Sequence, residues 1–428
     1  MKCSKCPKDK IISIAHNVKK QWHSLMSKDC HTLFCFAIFI TGIVYLAGSI
    51  ISLGWLLDKV FFLYAGDSFM DFFNSIRDAS LGLGAYTERH VIYPPMANLF
   101  FMLLSYITPA KYNASHWRHR RTWSVYPQNV VLIWAFVIIC AALFAWILYK
   151  GFDSSRKKKV MLTVCAVFSI PFLNMLERGN IMTLAFLALL CYALSYDSKS
   201  RVLRELGLVA LAFSVSLKLY PALFAWVLIS DKRYREFFRC VIYSAVLLIA
   251  PSFAFGGPSC LLIILGNIFG FSTSSSGVIA VISKYSGIPL PVISAIWYTM
   301  FFAVVLCYLA SAFLFREQRD RWKIWMLGCI TFLAFPPLCS TYAWALFIIP
   351  LIRIFKQGLT GADIKGYFIP VLIPFLFLPI SLPHRLTANS VATYLCVFAV
   401  AIWAIYDTVR TIRARRQNNN SPVESDAE

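Results

Sequence analysis

Long apolar runs separated by short basic clusters dominate the chain. The runs 33–55, 130–149 and 391–406 are each long enough, or nearly so, for a helix to cross roughly 30 Å of hydrocarbon. A backbone in lipid must satisfy its own hydrogen bonds. Because the runs are continuous rather than alternating, helices are expected instead of a β-barrel. The pattern predicts an all-α polytopic membrane protein.

The polar punctuation sets an expected topology once Lys and Arg are placed on the cytoplasmic side. Basic clusters occur at the N-terminus, at Lys150 with 156–159, and at 199–204, 232–239, 316–323, 353–365 and 410–416. Successive clusters must be separated by an even number of crossings. Between the N-terminus and Lys150 there are three apolar candidates: 33–55, 93–108 and 128–149. The middle one is short, opens on Pro94 and Pro95 and runs into a polar stretch, so it is expected to be a juxtamembrane or re-entrant helix. Residues 58–127 then form one large extracytoplasmic loop, despite Arg118, Arg120 and Arg121. Two spans are expected between Lys159 and Lys199, with Glu177-Arg178-Gly179-Asn180 at their outer turn. Two short halves between Arg204 and Lys232 meet near Lys218-Leu219-Tyr220-Pro221, a broken pair suited to lining a cavity. Continued to the end, the count reaches about twelve spans with both termini cytoplasmic. The expected organisation is a basic segment 1–32, a membrane domain 33–408 and a cytoplasmic tail 409–428. No internal repeat is visible, which weighs modestly against a secondary transporter.

Composition agrees with this picture. Of 428 residues, 59% are hydrophobic and 14% charged, and the mean hydropathy is +0.66, far from the usage of soluble domains. The net charge of +21 lies in clusters that positive-inside topology explains, so no nucleic-acid partner is expected. The thirteen cysteines are scattered, many within apolar runs, and give no disulfide framework. Cys3 and Cys6 form one CxxC, but His16, Cys30 and His31 do not complete a zinc pattern, and no metal or other cofactor is expected. The first thirty residues are lysine-rich without an early apolar core, so run 33–55 is read as a retained anchor. A bacterial plasma membrane is the expected location, as no endoplasmic reticulum retention signal ends the chain. Asn113-Ala114-Ser115 is a glycosylation sequon in the outer loop.

Candidate chemistry collects on the outer side. In the stretch from Gly66 to Ala79, Phe69, Phe72, Phe73 and Ile76 recur at helical spacing, predicting an amphipathic helix on the bilayer surface. Asp67, Asp71 and Asp78 share its other face, and Arg77 lies in the same stretch of sequence. A solvated face with Asp67 as helix cap explains Asp67 and Asp78 without chemistry. Ionisable groups at apolar helix ends are costly and often functional: Glu177 with Arg178, Lys218, and His384 with Arg385 all fall at expected outer ends. Arg385 also suits a snorkelling anchor; Lys218 suits one less, since its neighbours are apolar on both sides. Cations fixed opposite a carboxylate would serve a reaction in which phosphate leaves while a hydroxyl loses its proton.

These residues carry a resemblance. Asp71-Phe72-Phe73-Asn74-Ser75, Tyr93-Pro94-Pro95, Glu177-Arg178-Gly179-Asn180 and Lys218-Leu219-Tyr220-Pro221 occur in an order and spacing that resemble the C-type glycosyltransferase superfamily. The similarity is closest to its polyprenyl-phosphate-mannose-dependent α-mannosyltransferase branch. It covers about 33–230, with weaker similarity around Thr341-Tyr342-Ala343. The resemblance implies transfer of a sugar from a polyprenyl-phosphate donor to a glycolipid or polysaccharide acceptor at the outer face of the bilayer. It makes Asp71 the general base, with Asp67 as the alternative, and places Arg178 and Lys218 at the donor phosphate. Arg77, Tyr93, Glu177, Asn180, Tyr220, His384 and Arg385 complete the candidate substrate-binding set. A single carboxylate base implies inversion at the anomeric carbon. Asp67 and Asp71 together are also a candidate divalent-ion pair. Two other classes fit the same charges: a flippase or transporter of lipid-linked sugars, and a polymerase or ligase using a diphosphate-linked oligosaccharide.

Overall fold

A computed structural model of the chain describes residues 19–21, 24–56, 68–109, 122–272, 278–315, 317–335, 338–364, 366–380 and 387–420. Among these, every named element is helical, apart from an isolated antiparallel bridge between Asp29 and Thr360. The α-helices are α1 (Cys30–Ile51), α2 (Met70–Ala79), α3 (Gly84–Thr87), α4 (Pro95–Ser105), α5 (Pro127–Gly151), α6 (Arg156–Val167), α7 (Ile170–Arg178), α8 (Met182–Ser195) and α9 (Arg201–Leu217). They continue with α10 (Trp226–Ser230), α11 (Tyr234–Ser252), α12 (Cys260–Ser272), α13 (Val278–Ser286), α14 (Leu290–Leu314), α15 (Trp322–Ala334), α16 (Ile348–Lys356), α17 (Phe368–Leu372) and α18 (Ala388–Asn420). The 3₁₀ segments Tyr220–Ala225 and Tyr342–Phe347 lead directly into α10 and α16.

Five of the described helices are long and apolar enough to span a bilayer: Cys30–Ile51, Pro127–Gly151, Tyr234–Phe255, Leu290–Leu314 and Ala388–Gln417. A sixth span arises if α6 and α7, bent by 47° at their junction, count as one. The expected twelve are therefore not reached. Among the missing crossings are short apolar helices, α8, α15 and the Tyr220–Ser230 segment, which are packed into the protein. The long helices do show a lipid face. Phe36, Ile50, Val131, Ile138, Phe302 and Leu306 are exposed large apolar side chains, tolerable in such numbers only against hydrocarbon. The chain is an integral membrane protein.

The core is built around the α8–α9 hairpin. Its helices approach closely because Gly207 of α9 offers no Cβ where Ser195 of α8 lies, and Ser214 Oγ donates to the Ala185 carbonyl at 2.6 Å. The C-terminal half closes against this hairpin: the centre of the Trp325 ring of α15 lies 5.8 Å from that of Tyr192 on α8, and Arg353 Nη2 on α16 donates to the Ala193 carbonyl at 3.3 Å.

Ion pairs reveal how the basic clusters are arranged. Lys158 meets Asp29 at 3.1 Å, Arg353 meets Asp197 at 2.7 Å, Lys323 meets Asp407 at 3.0 Å, and Arg321 pairs with Asp231. Clusters far apart in sequence are thus gathered at one end of the helices. Arg178 and Lys218 lie at the other end, because α8 and α9 each separate them from that girdle by roughly 20–25 Å of helix.

Two local expectations meet the structure here. Helix α4 begins on Pro94 and Pro95, and its eleven residues reach only roughly 16 Å, too short to cross. Helix α2 forms where periodicity placed it, but its apolar face does not lie on lipid. Phe72, Phe73 and Ile76 are fully buried, with Phe72 packed on Phe101 and Phe136 and Phe73 stacked on Trp123. Helical periodicity reports an apolar face without saying whether lipid or protein covers it.

Candidate active site

The site begins with two left-handed turns set against each other. Phe69, just before α2, has φ of +61°, and its N–H donates to the Glu177 carbonyl at 2.7 Å. Gly179, which ends α7, has φ of +62°, and a Cβ there would come within 2.7 Å of Phe72 Cβ. Only glycine both adopts that conformation without strain and lets α2 approach so near. Together the turns dock the first turn of α2 on the end of α7.

The docking brings Asp71 onto the residues flanking Gly179. Arg178 grips the carboxylate with two donors, Nη2 to Oδ1 at 2.6 Å and Nε to Oδ2 at 3.0 Å. Asn180 Nδ2 donates to Oδ2 at 2.9 Å. Asn180 is itself fixed, since its Oδ1 accepts the Met182 N–H at the start of α8 at 2.9 Å. Planar guanidinium and planar carboxylate meet as a fork on a fork, the strongest common geometry for such a pair. A carboxylate offers about four lone-pair directions, and these contacts use three. Asp71 keeps 19% of its side chain exposed, so the remaining direction is open to an incoming proton donor.

Lys218 follows α9 where the helix ends, outside the long candidate spans. Its Nζ sits 4.1 Å from the centre of the Tyr93 ring, a cation–π contact, and no ion pair of Lys218 is present among the described residues. Desolvation lowers the ammonium to about 8, partly offset by the negative charge of Asp71 nearby. Burial raises the Tyr93 phenol, reinforced by the Asp71 charge. Tyr220 lies beside Lys218 in sequence, its ring against Phe332 at 3.9 Å between centres. Arg178 thus neutralises Asp71, while Lys218 supplies a second positive charge to which no carboxylate of the described residues is bound.

Other sequence candidates fall elsewhere. Arg77 is buried and bonds Asp78, from Nη2 at 3.2 Å and from Nε at 3.3 Å, with Arg89 at 4.0 Å from the same oxygen. Desolvation raises the Asp78 carboxyl. This cluster lies two helical turns from Asp71, so the structure does not bring Arg77 into contact with it. Glu177 gives its carbonyl to Phe69 and accepts Asn174 Nδ2 at 3.4 Å on its carboxylate. Asp67, His384 and Arg385 lie outside the described residues, as do Asn113, Cys3, Cys6 and His16. None of the described cysteines forms a disulfide, and no group of three or more His, Cys, Asp or Glu among the described residues could hold a metal ion.

One residue was not singled out by sequence. Tyr342 opens the 3₁₀ segment that packs on α7 and comes within electrostatic reach of both Asp71 and Arg178. Only the weak similarity at Thr341-Tyr342-Ala343 pointed there.

A family model for glycosyltransferase family 87 matches residues 91–341, more than half of the chain. The chain belongs to glycosyltransferase family 87. No curated protein and no solved structure matches it. The family match contains Tyr93, Glu177, Arg178, Asn180, Lys218 and Tyr220, whereas Asp71 precedes it and Tyr342 follows it. Membership makes the protein a membrane glycosyltransferase, which takes a sugar donor and an acceptor. For this family 87 enzyme, Gly179→Ala is expected to cost roughly 1–3 kcal/mol through backbone strain and overpacking. It should also cut transfer at least about ten-fold, because the Asp71–Arg178 alignment depends on the turn. Thermal unfolding and initial rates of the purified variant check both.

Proposed function

We propose that this enzyme transfers a sugar, taken as mannose from the sequence resemblance, from a polyprenyl-phosphate donor to a glycolipid or polysaccharide acceptor at the outer face of the membrane. The reading rests above all on the constellation of Asp71, Arg178 and Asn180, drawn together across 107 and 109 residues of sequence beside Lys218. The acceptor hydroxyl attacks the anomeric carbon and gives its proton to Asp71. The bond from that carbon to the phosphate oxygen breaks, and its electron pair leaves with the phosphate. A polyprenyl-phosphate sugar is a phosphodiester of one negative charge that departs as a monoester approaching two. Arg178 and Lys218 supply two positive charges to match the leaving group, which favours a monophosphate over a diphosphate donor. Arg178 serves Asp71 before the donor arrives and turns toward the phosphate once it is bound, leaving Asp71 freer to take the proton.

The surroundings of Tyr220 suit such a donor. A largely apolar groove of about 560 Å³ starts at Leu219 and Tyr220 and runs past Trp226 and Ile229, walled by Phe301 on α14 and Phe332 on α15. An isoprenoid chain attached to a phosphate at Lys218 would find apolar contact along it. One carboxylate in the basic role favours inversion at the anomeric carbon.

The test supplies purified enzyme with polyprenyl-phosphate mannose and a glycolipid acceptor and determines the anomeric configuration of the product. Transfer with inversion is the expected result; transfer with retention, or no transfer from any polyprenyl-phosphate sugar, defeats the reading. Lys218 adds a pH signature. Its ammonium is charged below about 8 and neutral above it, so kcat/KM for the donor should fall as pH rises through that value. Bound phosphate holds the proton on, so kcat should fall less. Lys218→Arg should move the descending limb out of range, since guanidinium does not titrate there; an unmoved limb assigns it to another group.

A further inference from the structure

A second polar cavity, of about 630 Å³, opens at the basic end of the helices, beyond α8 and α9 from Asp71. It is lined by Arg204, Lys232, Arg233 and Arg321 and by the carboxylates of Asp197, Asp231 and Glu236. Most of these charges are paired. Arg204 Nε meets Glu236 at 3.5 Å, Arg233 also pairs with Glu236, and Arg321 pairs with Asp231. Arg353 holds Asp197 at 2.7 Å with its guanidinium over the Trp325 ring. Counting Arg353, five cations meet three carboxylates around one cavity. Each guanidinium carries five N–H donors, more than these carboxylates engage.

Lys232 adds a cation at an unusual cost. It is exposed, forms no ion pair among the described residues, and has φ of +58°, the left-handed conformation in which glycine would be free of strain. Nearby on α9 and α11, Val202, Leu203, Leu206, Tyr234 and Phe238 are exposed apolar side chains. Charge at a cavity mouth beside apolar, lipid-facing helix surfaces is the arrangement that receives a lipid headgroup while its chains stay in hydrocarbon.

We propose that this cavity binds the phosphate headgroup of an anionic membrane lipid, with Lys232 at its mouth and Arg204, Arg233 and Arg321 within. The site is separate from the transfer centre, and the inference stands whether or not the donor assignment does. The test titrates the delipidated full-length protein with phosphatidylglycerol, phosphatidylcholine or inorganic phosphate and counts bound molecules by native mass spectrometry. Phosphatidylglycerol is expected to saturate one site at least about ten-fold more tightly than phosphatidylcholine, without displacement by equimolar inorganic phosphate. Lys232→Gly should weaken that binding roughly five-fold while leaving thermal stability unchanged or raised, because it removes a cation and relieves strain together. The double variant Arg321→Gln with Asp231→Asn, which removes a pair without stranding a charge, should weaken it further. Equal affinity for the two lipids, displacement by equimolar phosphate, or unchanged binding in both variants overturns the proposal.

Discussion

Asp71→Asn is expected to reduce sugar transfer by roughly 10²–10⁴-fold, almost entirely in kcat. The amide keeps the shape of the carboxylate but cannot take the acceptor proton. The substitution also converts one accepting oxygen into a donor, so Arg178 loses half of its fork and turns more readily to the donor phosphate. Donor affinity should therefore hold or improve while chemistry fails. Single-turnover rates beside equilibrium binding of polyprenyl phosphate separate the two effects. A variant that loses donor binding and kcat in parallel would show Asp71 to be a structural anchor of the fold rather than the base.

Arg178→Gln should be nearly as damaging: the proposed contact with the leaving phosphate would lose its charge, and kcat/KM for the donor is expected to fall roughly 10²–10³-fold. It also leaves Asp71 in place without its bidentate partner, and removing one member of a desolvated pair costs roughly 3–5 kcal/mol of stability when burial is complete. Here 34% of the Arg178 side chain and 19% of the Asp71 side chain remain exposed, so solvent screens the loss and a smaller penalty is expected. The double variant Asp71→Asn with Arg178→Gln should recover much of the lost thermal stability and none of the activity. Strict additivity of the two stability losses would mean that the contact seen here contributes nothing to holding α2 on α7.

The parts of this molecule that were legible in the sequence are those where the chemistry of a residue conflicts with its neighbourhood. Arg178 and Lys218 stand out because a cation beside apolar runs needs a reason, and the Pro94-Pro95 pair announces where α4 starts. What periodicity could not distinguish was the material covering an apolar face. The Phe72 and Phe73 side of α2, expected on lipid, is buried against α4, α5 and Trp123. The same ambiguity affects the span count, since an apolar run reads alike whether it crosses straight, bends as α6 and α7 do, or stops short inside the protein as α15 does. Arg77 reads in sequence as part of the candidate site because it shares a short stretch with Asp71. Its side chain points instead to its immediate neighbour Asp78, a choice that sequence proximity cannot reveal. Tyr342 needed the tertiary fold to appear at all, being brought to Asp71 by packing across more than half the chain.

The back-to-back turns at Phe69 and Gly179 also bear on how the protein is made. A ribosome delivers Asp71 to the membrane long before residue 178 is synthesised, and during that interval the carboxylate sits beside Phe72 and Phe73 without its fork. Helix α2 cannot seat until α7 arrives with its glycine and its arginine. The socket is therefore completed only once α7 has been made, and a chain stalled or truncated between the two turns carries Asp71 but not the arginine and asparagine that align it.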